Sequence, residues 1–223
     1  MFNLATDKRY LQIAFNNDMK MVDRLLPKIP FSERILIEAG TPFIKKYGLE
    51  GIRRIKSIWP GMVVADIKTV DGAEQEVEEA FAAGASAATV IGNASRETID
   101  LFIAKCNELK MDSMIDMINV EKVMSILWRL KKPPSVVVIH RGRDEENSFG
   151  ALIEYKQLVK VKGKYDVLVS AAGGVDLREA ASAVFNGADI VVVNLVTPDD
   201  PWKGISIDEN ISEIANQFLQ TIE

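Results

Sequence analysis

The sequence predicts a single (β/α)₈ barrel over residues 1–223, and three observations support this prediction. Short apolar runs rich in Val and Ile recur along the chain, and longer stretches with helical spacing separate them. Continuous apolar runs are typical of strands buried on both faces of a parallel sheet. A length of 223 residues suits one closed barrel. The predicted strands are Leu11–Phe15, Ile35–Ile37, Met62–Ala65, Ala87–Ile91, Met114–Ile115, Val136–Ile139, Val167–Ala171 and Ile190–Val193.

The predicted helices begin and end at residues with a clear physical role. Ser95 and Asp176 are predicted N-caps, because their short side chains can accept backbone hydrogen bonds. Gly84 and Gly187 follow helices at positions where the left-handed conformation favours glycine. The sequence has no glycine-rich nucleotide-binding motif, which disfavours an open doubly wound sheet. The clearest predicted helices are Glu74–Phe81, Arg96–Leu109, Val120–Leu130, Ala151–Val161, Leu177–Phe185 and Ile211–Ile222.

The composition excludes several classes of function. The net charge is −5 and no basic block occurs, so we expect no nucleic-acid partner. Cys106 is the only cysteine, which excludes an intramolecular disulfide and a zinc site built on thiolates. No run of about 18 apolar residues is present to span a membrane. The charged first ten residues lack the apolar stretch of a signal peptide, so we expect a cytoplasmic protein.

Polar residues follow most of the apolar runs. The carboxyl ends of barrel strands meet at one rim, where barrel enzymes carry their active sites. A single acid after a strand is more often a helix cap or an ion-pair partner, but so many polar groups on one rim predict an active site. The candidate site residues are Asn16, Glu38, Asp66, Lys68, Asp71, Asp116, His140, Arg141, Arg143, Gly173, Gly174 and Asn194.

The crowded acids predict a bound cation. Carboxylates on one rim repel one another unless a cation offsets their charge. Oxygen ligands without thiolates are typical of a hard cation such as Mg²⁺, which commonly takes one or two carboxylates. Glu38 and Asp66 are therefore the predicted Mg²⁺ ligands, with Asp116 near or in the shell. The ion would stabilise an enediolate oxyanion as a Lewis acid.

Lys68 and His140 are the candidates for charge stabilisation and proton transfer. The acids at residues 66 and 71 should keep Lys68 protonated, which favours electrostatic work over Schiff-base chemistry. A structural salt bridge is the alternative. His140 is the only histidine, and an ordinary pKa of about 6.5 suits proton transfer. A satisfied core histidine is the alternative.

Arg141, Arg143 and the pair Gly173-Gly174 are candidates for binding an anion. Guanidinium groups can hold a sugar hydroxyl, a phosphate or a developing anion. Surface pairing with the acids at residues 144 and 145 is the alternative for both arginines. A glycine pair after the seventh strand is typical of the barrel phosphate site, where backbone N–H groups surround an anion. A tight turn is the alternative for the glycines.

Several motifs resemble one enzyme group. The spacing Asp66-x-Lys68-x-x-Asp71 resembles the orotidine 5′-monophosphate decarboxylase suprafamily. The segments 37–45 and 65–72 look like the second-strand and third-strand signatures of 3-hexulose-6-phosphate synthases. The segment 140–144 is closer to the related 3-keto-L-gulonate-6-phosphate decarboxylases, whereas Asp116 agrees better with the synthases. The resemblance extends from about residue 11 to residue 196.

This resemblance implies a Mg²⁺-dependent homodimer with shared active sites. Glu38 and Asp66 would hold Mg²⁺, and Lys68 with Asp71 would help to position a sugar phosphate. Asp71 would reach the active site of the partner subunit. His140 would move the proton at C1 of ribulose 5-phosphate, and the resulting enediolate would add to formaldehyde to give a hexulose 6-phosphate.

Two departures from the family pattern keep other functions open. Asn16 stands where the family usually has an aspartate that contacts the substrate. Val193-Asn194 stands where the family usually has Gly-Arg or Gly-Gly, and we expect the valine side chain to disturb phosphate binding there. Lys203 is a nearby cation that could compensate. A ketogulonate-phosphate decarboxylase and a catalytically silent ligand-binding paralogue remain the alternatives.

Overall fold

Eight parallel strands pair in sequence order and close on themselves. The computed structural model describes residues 4–145, 153–198 and 202–223. The barrel strands are β1 (Tyr10–Phe15), β2 (Ile35–Ala39), β3 (Val63–Thr69), β4 (Ala87–Ile91), β5 (Asp112–Asp116), β6 (Val136–His140), β7 (Leu168–Ala172) and β8 (Ile190–Val196). β1 pairs with both β2 and β8, which closes the sheet. The predicted single (β/α)₈ TIM barrel is confirmed.

Helices pack around the outside of the barrel between the strands. The helices are α1 (Met19–Leu25), α2 (Thr41–Ile58), α3 (Ala73–Ala82), α4 (Arg96–Leu109), α5 (Val123–Leu127), α6 (Tyr155–Lys162), α7 (Leu177–Phe185) and α8 (Ile211–Thr221). Both predicted N-caps are confirmed. The Ser95 side chain accepts a hydrogen bond from the Thr98 amide at 3.0 Å, and the Asp176 side chain accepts one from the Glu179 amide at 2.8 Å. Gly84 has a positive φ of 98°, as expected after a helix end.

The observed strands continue past the apolar runs at their carboxyl ends. β3 ends at Thr69 rather than at the predicted Ala65, and β8 ends at Val196 rather than at Val193. The added positions include polar side chains that face the barrel interior, so they interrupt the apolar run without ending the strand. Six candidate site residues therefore lie on the strands themselves, where the backbone ladder fixes their positions: Glu38, Asp66, Lys68, Asp116, His140 and Asn194.

Three further boundaries differ from the prediction. α5 is shorter than the predicted helix at 120–130, because Asn119 has a left-handed φ of 57° and the Val120 amide belongs to a turn. α6 begins at Tyr155 instead of residue 151, and residues 151–152 lie outside the described part of the chain. A short strand β9 (Ile205–Ser206) was not predicted, and it pairs with the end of β8.

The core has two layers, which leave the carboxyl end of the barrel for the site. The larger layer lies between the strands and the helices, and the smaller one fills the barrel interior with residues such as Leu36, Val64 and Met114. Leu4 packs into the interior layer, and its amide donates to Oδ2 of the buried Asp112 at 3.1 Å. This contact covers the amino end of the barrel. Among the described helices, none has both the length and the apolar character to cross a membrane.

Candidate active site

The mouth at the carboxyl ends of the strands contains a cavity of about 440 Å³. Every one of the eight barrel strands contributes at least one side chain to its wall. All of the candidate site residues except Asp71 line this cavity. Asp71 is exposed and lies beyond the end of β3, so it does not join the other candidates in this chain. The sequence thus predicted one convergent site with one outlying residue.

Lys68 forms the centre of a buried ion-pair network. Its Nζ donates to both carboxylate oxygens of Asp66 at 3.0 Å and also to Asp116 Oδ2. Burial alone would lower the pKa of Lys68, but the Asp66 and Asp116 carboxylates raise it well above its ordinary value. Lys68 is therefore protonated, as predicted from its acidic neighbours. The same contacts also form a structural salt bridge. They are therefore compatible with both hypotheses for Lys68, electrostatic stabilisation of a substrate and a structural ion pair.

The backbone of Lys68 adopts an uncommon conformation. Its φ is 47°, in the left-handed region that favours glycine, and the pairing of β3 with β4 shifts register between Ala65 and Thr69. The Lys68 amide donates to Thr89 Oγ1 at 2.9 Å instead of to the strand ladder. Such backbone conformations cost about 1–3 kcal/mol and cluster at functional sites. The bulge turns the Lys68 ammonium group into the mouth.

Two threonines hold the Asp66 carboxylate in place. Thr41 Oγ1 donates to Asp66 Oδ2 at 2.6 Å, and Thr89 Oγ1 donates to Asp66 Oδ1 at 2.8 Å. Because Thr41 begins α2 and Thr89 lies on β4, the carboxylate is fixed from both neighbouring strands. Sequence analysis assigned no role to either threonine. The available signal for Thr89 was the alternation of side chains along β4, which places Thr89 on the interior face of the barrel.

Asp116 connects Lys68 to His140. His140 Nδ1 lies 3.0 Å from Asp116 Oδ1 and 2.9 Å from Oδ2. Burial would raise the pKa of Asp116, but the charge and hydrogen bond of His140, followed by those of Lys68, hold it well below its ordinary value. Burial would likewise lower the pKa of His140, but the Asp116 carboxylate raises it. The pairing orients the ring, because Nδ1–H donates to Asp116 and leaves Nε2 to exchange a proton.

Glu38 is the third buried acid in the mouth, after Asp66 and Asp116. Gln12 Nε2 donates to Glu38 Oε2 at 2.6 Å. Burial, followed by the negative charge of Asp66, raises the pKa of Glu38 to about 7. Gln12 itself was missed by sequence analysis. It is a polar residue inside the apolar run of β1, which is the signal that could have identified it.

The donor chemistry of this part of the mouth fits Mg²⁺. Glu38 and Asp66 are carboxylates close enough to raise the pKa of Glu38, and a divalent cation would relieve that repulsion. Gln12 Oε1 is buried beside them and lacks a hydrogen-bond partner among the described residues. No group of three or more His, Cys, Asp or Glu side chains in the described ranges is arranged to hold a metal ion. Two carboxylates fit Mg²⁺, because it usually completes its shell with water and substrate oxygens.

Arg141 and Gly173 join the ends of β6 and β7. Arg141 is buried, and its Nη2 donates to the Gly173 carbonyl oxygen at 2.8 Å. Gly173 has a φ of 101°, and a Cβ at this position would collide with the Arg141 carbonyl oxygen. Gly174 is also left-handed, with a φ of 59°. Two consecutive left-handed residues favour glycine strongly, and they shape the rim next to the N-terminus of α7.

Asn16 and Asn194 contact each other across the seam between β1 and β8. Asn16 Nδ2 donates to Asn194 Oδ1 at 2.8 Å. Both of these departures from the family pattern therefore belong to one contact. Val193 is fully buried in the layer between strands and helices. Alternation along β8 points the valine side chain away from the mouth, so it does not itself fill the cavity.

Several comparisons with known proteins agree with this geometry. The pattern of the orotidine 5′-phosphate decarboxylase / HUMPS family matches residues 9–194. The chain is 36% identical over 219 residues to the bifunctional enzyme Fae/Hps of Methanothrix thermoacetophila, and this match covers 97% of the chain and 53% of that protein. A Fae/Hps enzyme of Methanocaldococcus jannaschii is 38% identical over 198 residues, covering 88% of the chain and 50% of the relative. The chain thus spans about half the length of these relatives.

A solved structure of a 3-hexulose-6-phosphate synthase is also similar. It is 27% identical in sequence with a TM-score of 0.76, and the match covers 96% of this chain and 100% of the synthase chain. Sequence and structural comparisons therefore lead to the same group of enzymes.

Proposed function

The chain belongs to the orotidine 5′-phosphate decarboxylase / HUMPS family, and from that premise we propose that it is a carbon–carbon lyase of the 3-hexulose-6-phosphate synthase type. The proposed reaction joins formaldehyde to ribulose 5-phosphate, or cleaves the product in reverse, as in the ribulose monophosphate pathway. The names of its relatives support this proposal. The observation that carries it is the hydrogen-bonded chain from Asp66 through Lys68 and Asp116 to His140.

His140 is the proposed base. Asp116 holds Nδ1, so Nε2 is the atom that takes the proton from C1 of ribulose 5-phosphate. The electron pair of the broken C–H bond forms the enediolate. C1 then attacks the carbon of formaldehyde, a C–C bond forms, and the aldehyde oxygen takes a proton to become a hydroxyl group. The raised pKa of His140 supports this role, since Asp116 stabilises the imidazolium that forms.

Lys68 is the proposed electrostatic partner of the enediolate. Its ammonium group is held in the mouth by Asp66 and Asp116, and it would stabilise negative charge as that charge develops. Glu38 and Asp66 would hold Mg²⁺, which when bound supplies Lewis-acid stabilisation of the oxyanion. The raised pKa of Glu38 supports this ligand set, since a cation would relieve the repulsion from Asp66.

Arg143 and the glycine pair Gly173-Gly174 are the proposed phosphate-binding groups. They lie on the rim formed by the ends of β6 and β7, close to the N-terminus of α7. Backbone amides at a left-handed glycine turn and a helix N-terminus attract anions. Asn16, Asn194 and Arg141 are proposed to contact the sugar or to support these groups. The substrate would therefore lie with its phosphate group away from the carboxylates of Glu38, Asp66 and Asp116.

A homodimer with shared active sites is also proposed, working in the cytoplasm. Asp71 is exposed and outside its own mouth, as expected for a residue that serves the partner subunit. Val70 beside it is 62% exposed, and a large apolar side chain at that exposure is available for an interface. Mixing Asp71→Ala and His140→Ala subunits tests this arrangement. Regained activity requires sites built from two chains.

The direct test is condensation of formaldehyde with ribulose 5-phosphate in saturating Mg²⁺. We expect turnover that His140→Ala lowers by about 10²–10⁴-fold, the usual range for a general acid–base residue. EDTA should abolish the reaction and added Mg²⁺ should restore it. The proposal fails if the wild-type protein turns over neither ribulose 5-phosphate with formaldehyde nor hexulose 6-phosphate in reverse.

The second candidate is a 3-keto-L-gulonate-6-phosphate decarboxylase. The segment from His140 to Asp144 favours it, because it resembles those enzymes and Arg143 lines the cavity. Release of carbon dioxide from 3-keto-L-gulonate 6-phosphate, faster than the aldol reaction, would assign this activity. A silent ligand-binding paralogue is the third candidate, favoured by the Asn16–Asn194 pair. Sugar-phosphate binding without turnover of any of these substrates would assign it.

A further inference from the structure

Three consecutive residues after β8, Trp202 to Gly204, contact the ends of three different strands. We name this segment the clasp. The guanidinium carbon of Arg143, beyond the end of β6, lies 4.1 Å from the centre of the Trp202 ring. Lys203 Nζ pairs with Asp176 Oδ2 at 3.0 Å, and Asp176 is the N-cap of α7 beyond the end of β7. The clasp therefore links the segments after β6 and β7, which form the rim proposed to bind phosphate.

The clasp has a fixed position because β8 and β9 hold it. A Cβ on Gly204 would collide with the Asn194 carbonyl oxygen, so the backbone there passes directly against β8. The next residues form β9, and Ile205 is fully buried. The Trp202 ring is thus carried by backbone anchored to the barrel. Its position depends on the glycine at residue 204.

We propose that Trp202 is a positioning residue that holds the Arg143 guanidinium ready for the phosphate of the substrate. This inference rests on the proposed function, in which Arg143 contacts that phosphate. It assigns a role to Trp202 that the motifs did not indicate. The clasp then stands in for the glycine-containing pair that the family usually has at the end of strand eight.

Stacking is well suited to this task. A guanidinium over an aromatic face is attracted to the ring and loses little of its hydrogen-bonding capacity, because its N–H groups point outward in the plane. A carboxylate partner would use those N–H groups and neutralise the charge. Trp202 therefore restrains the side chain of Arg143 without using the N–H groups that would bind an oxyanion.

The charges around the mouth favour an anion on this side. Glu38, Asp66 and Asp116 line one side of the cavity, near the carboxyl ends of β2, β3 and β5. Arg143 lines the opposite side of the cavity together with Asp144, next to the left-handed glycines. Lys203 lies behind this wall, where it pairs with Asp176 at 3.0 Å. A phosphate group bound beside Glu38, Asp66 and Asp116 would be repelled, whereas one bound beside the clasp meets the Arg143 guanidinium and the backbone amides of the glycine turn.

The test compares Trp202→Leu and Trp202→Phe with the control Trp128→Phe. Trp128 is a matched control, because it is 64% exposed and its ring also lies near a cation, Lys164 Nζ at 5.5 Å, away from the mouth. Calorimetry gives the Kd of each purified protein for ribulose 5-phosphate, and for ribulose without phosphate as a second ligand. Thermal melting checks that each variant is folded.

Trp202→Leu should weaken binding of ribulose 5-phosphate by about three- to thirty-fold, the range of a partly desolvated cation–π contact. Trp202→Phe should recover part of this loss, and binding of ribulose should be unchanged. Ligand should also change tryptophan fluorescence in the wild type and in Trp128→Phe, but not in Trp202→Phe. The KM for the sugar phosphate should rise while kcat stays close to the wild-type value.

Equal weakening for both ligands, or no weakening in Trp202→Leu, would overturn the inference. These binding measurements do not depend on turnover. A protein that binds ribulose 5-phosphate through Trp202 but performs no aldol reaction would refute the proposed function and leave the role of Trp202 intact. Normal turnover in a Trp202→Leu variant with an unchanged KM would refute the role of Trp202 and leave the function intact.

Discussion

The two sides of the barrel mouth differ in how closely they follow the family pattern. From β2 to β6, the acids, Lys68 and His140 match the family motifs. Asp66, Lys68, Asp116 and His140 form one connected hydrogen-bond network, and Glu38 bonds to Gln12 beside it. From β8 to β1, an asparagine pair and the clasp replace the usual residues, while the glycine pair after β7 is kept. The groups proposed for proton and charge chemistry are kept, while only part of the rim proposed to bind the rest of the substrate, from β8 to β1, is rebuilt. Variants on each side should therefore have different kinetic effects.

The largest effect is expected for Lys68→Met on the side that matches the family. This change removes the cation shared by Asp66 and Asp116, so kcat/KM should fall by about 10³-fold, as for loss of one oxyanion-stabilising group. It also leaves two buried carboxylates without their cation, which should destabilise the protein by about 3–5 kcal/mol. Urea unfolding and steady-state kinetics measure the two losses.

Lys105→Met is the matched control for that experiment. Lys105 Nζ also pairs with two acids, Glu78 at 2.9 Å and Glu108 at 3.1 Å, but both acids are more than half exposed. Exposed pairs contribute about 1 kcal/mol or less. Lys105→Met should therefore retain activity and lose little stability. Equal effects of the two substitutions would contradict the special role of Lys68.

The next largest effect is expected for Asp116→Asn, measured as a pH profile. The carboxylate raises the pKa of His140, and the base must be neutral to accept a proton, so the wild-type rate should fall as the pH drops through that raised pKa. Asparagine removes the negative charge, and the pKa of His140 should then decrease. The acid limb of kcat/KM should move to lower pH while the maximal rate falls. An unmoved acid limb would contradict His140 as the titrating base.

A smaller effect is expected for Mg²⁺, measured as thermal stabilisation. Mg²⁺ at about 100 times its Kd should stabilise the wild type by about 2.7 kcal/mol, or roughly 5–10 °C in Tm. Glu38→Gln should abolish most of this shift. The control Glu33→Gln should keep it, because Glu33 is exposed and pairs only with Lys8 in the described contacts. A full shift in Glu38→Gln would contradict the ligand assignment.

Glu38 also predicts how the metal-free protein responds to pH. Its pKa is raised to about 7 in the folded state, so the group favours folding fully below its ordinary pKa of 4.5, and this contribution is lost as pH rises through about 7. In EDTA, the Tm of the wild type should therefore fall relative to that of Glu38→Gln between pH 5 and pH 8, about the range that separates these two pKa values. Parallel Tm curves for the two proteins would contradict a raised pKa at Glu38.

Much of the fold and of the catalytic side could be predicted from the sequence. Apolar runs and helix caps identified the barrel, and the strand ends identified Glu38, Asp66, Asp116 and His140. The strand boundaries came out too short, because interior polar residues end an apolar run before they end a strand. These polar residues face the barrel interior, so their side chains converge. The error in predicted strand length therefore did not change which acids were assigned to the site.

The rebuilt side could not be predicted in the same way. The contact between Asn16 and Asn194 joins residues 178 positions apart, and it depends on the closure of β1 against β8. Trp202 follows a strand end by several residues, and only the two-residue strand β9 and Gly204 bring it back to the mouth. Neither contact has a local pattern. Asn16 and Asn194 were candidate site residues, but their mutual contact and the contact of Trp202 with Arg143 depend on long-range closure, which no local motif indicates.

The smallest effect is expected for Asn16→Asp, which restores the residue usual in the family. Asn16 Nδ2 donates to Asn194 Oδ1 at 2.8 Å, and an aspartate has no N–H to donate. The Asn194 amide can turn to donate instead, so stability should change by only about 1 kcal/mol or less. The added negative charge lies next to the proposed sugar site, and the KM for ribulose 5-phosphate should change by a few-fold with kcat nearly constant.

The isosteric pair Asn16→Asp and Asn16→Leu separates charge from hydrogen bonding. Leucine keeps a similar size but can neither donate nor accept, so Asn194 loses its partner and the KM should rise in this variant as well. A large loss of kcat in Asn16→Asp with an unchanged KM would contradict the division of the mouth into two sides. Such a result would mean that residue 16, at the end of β1, takes part in the proton transfer. Asparagine at this position would then alter the chemical step and not only the binding of the sugar.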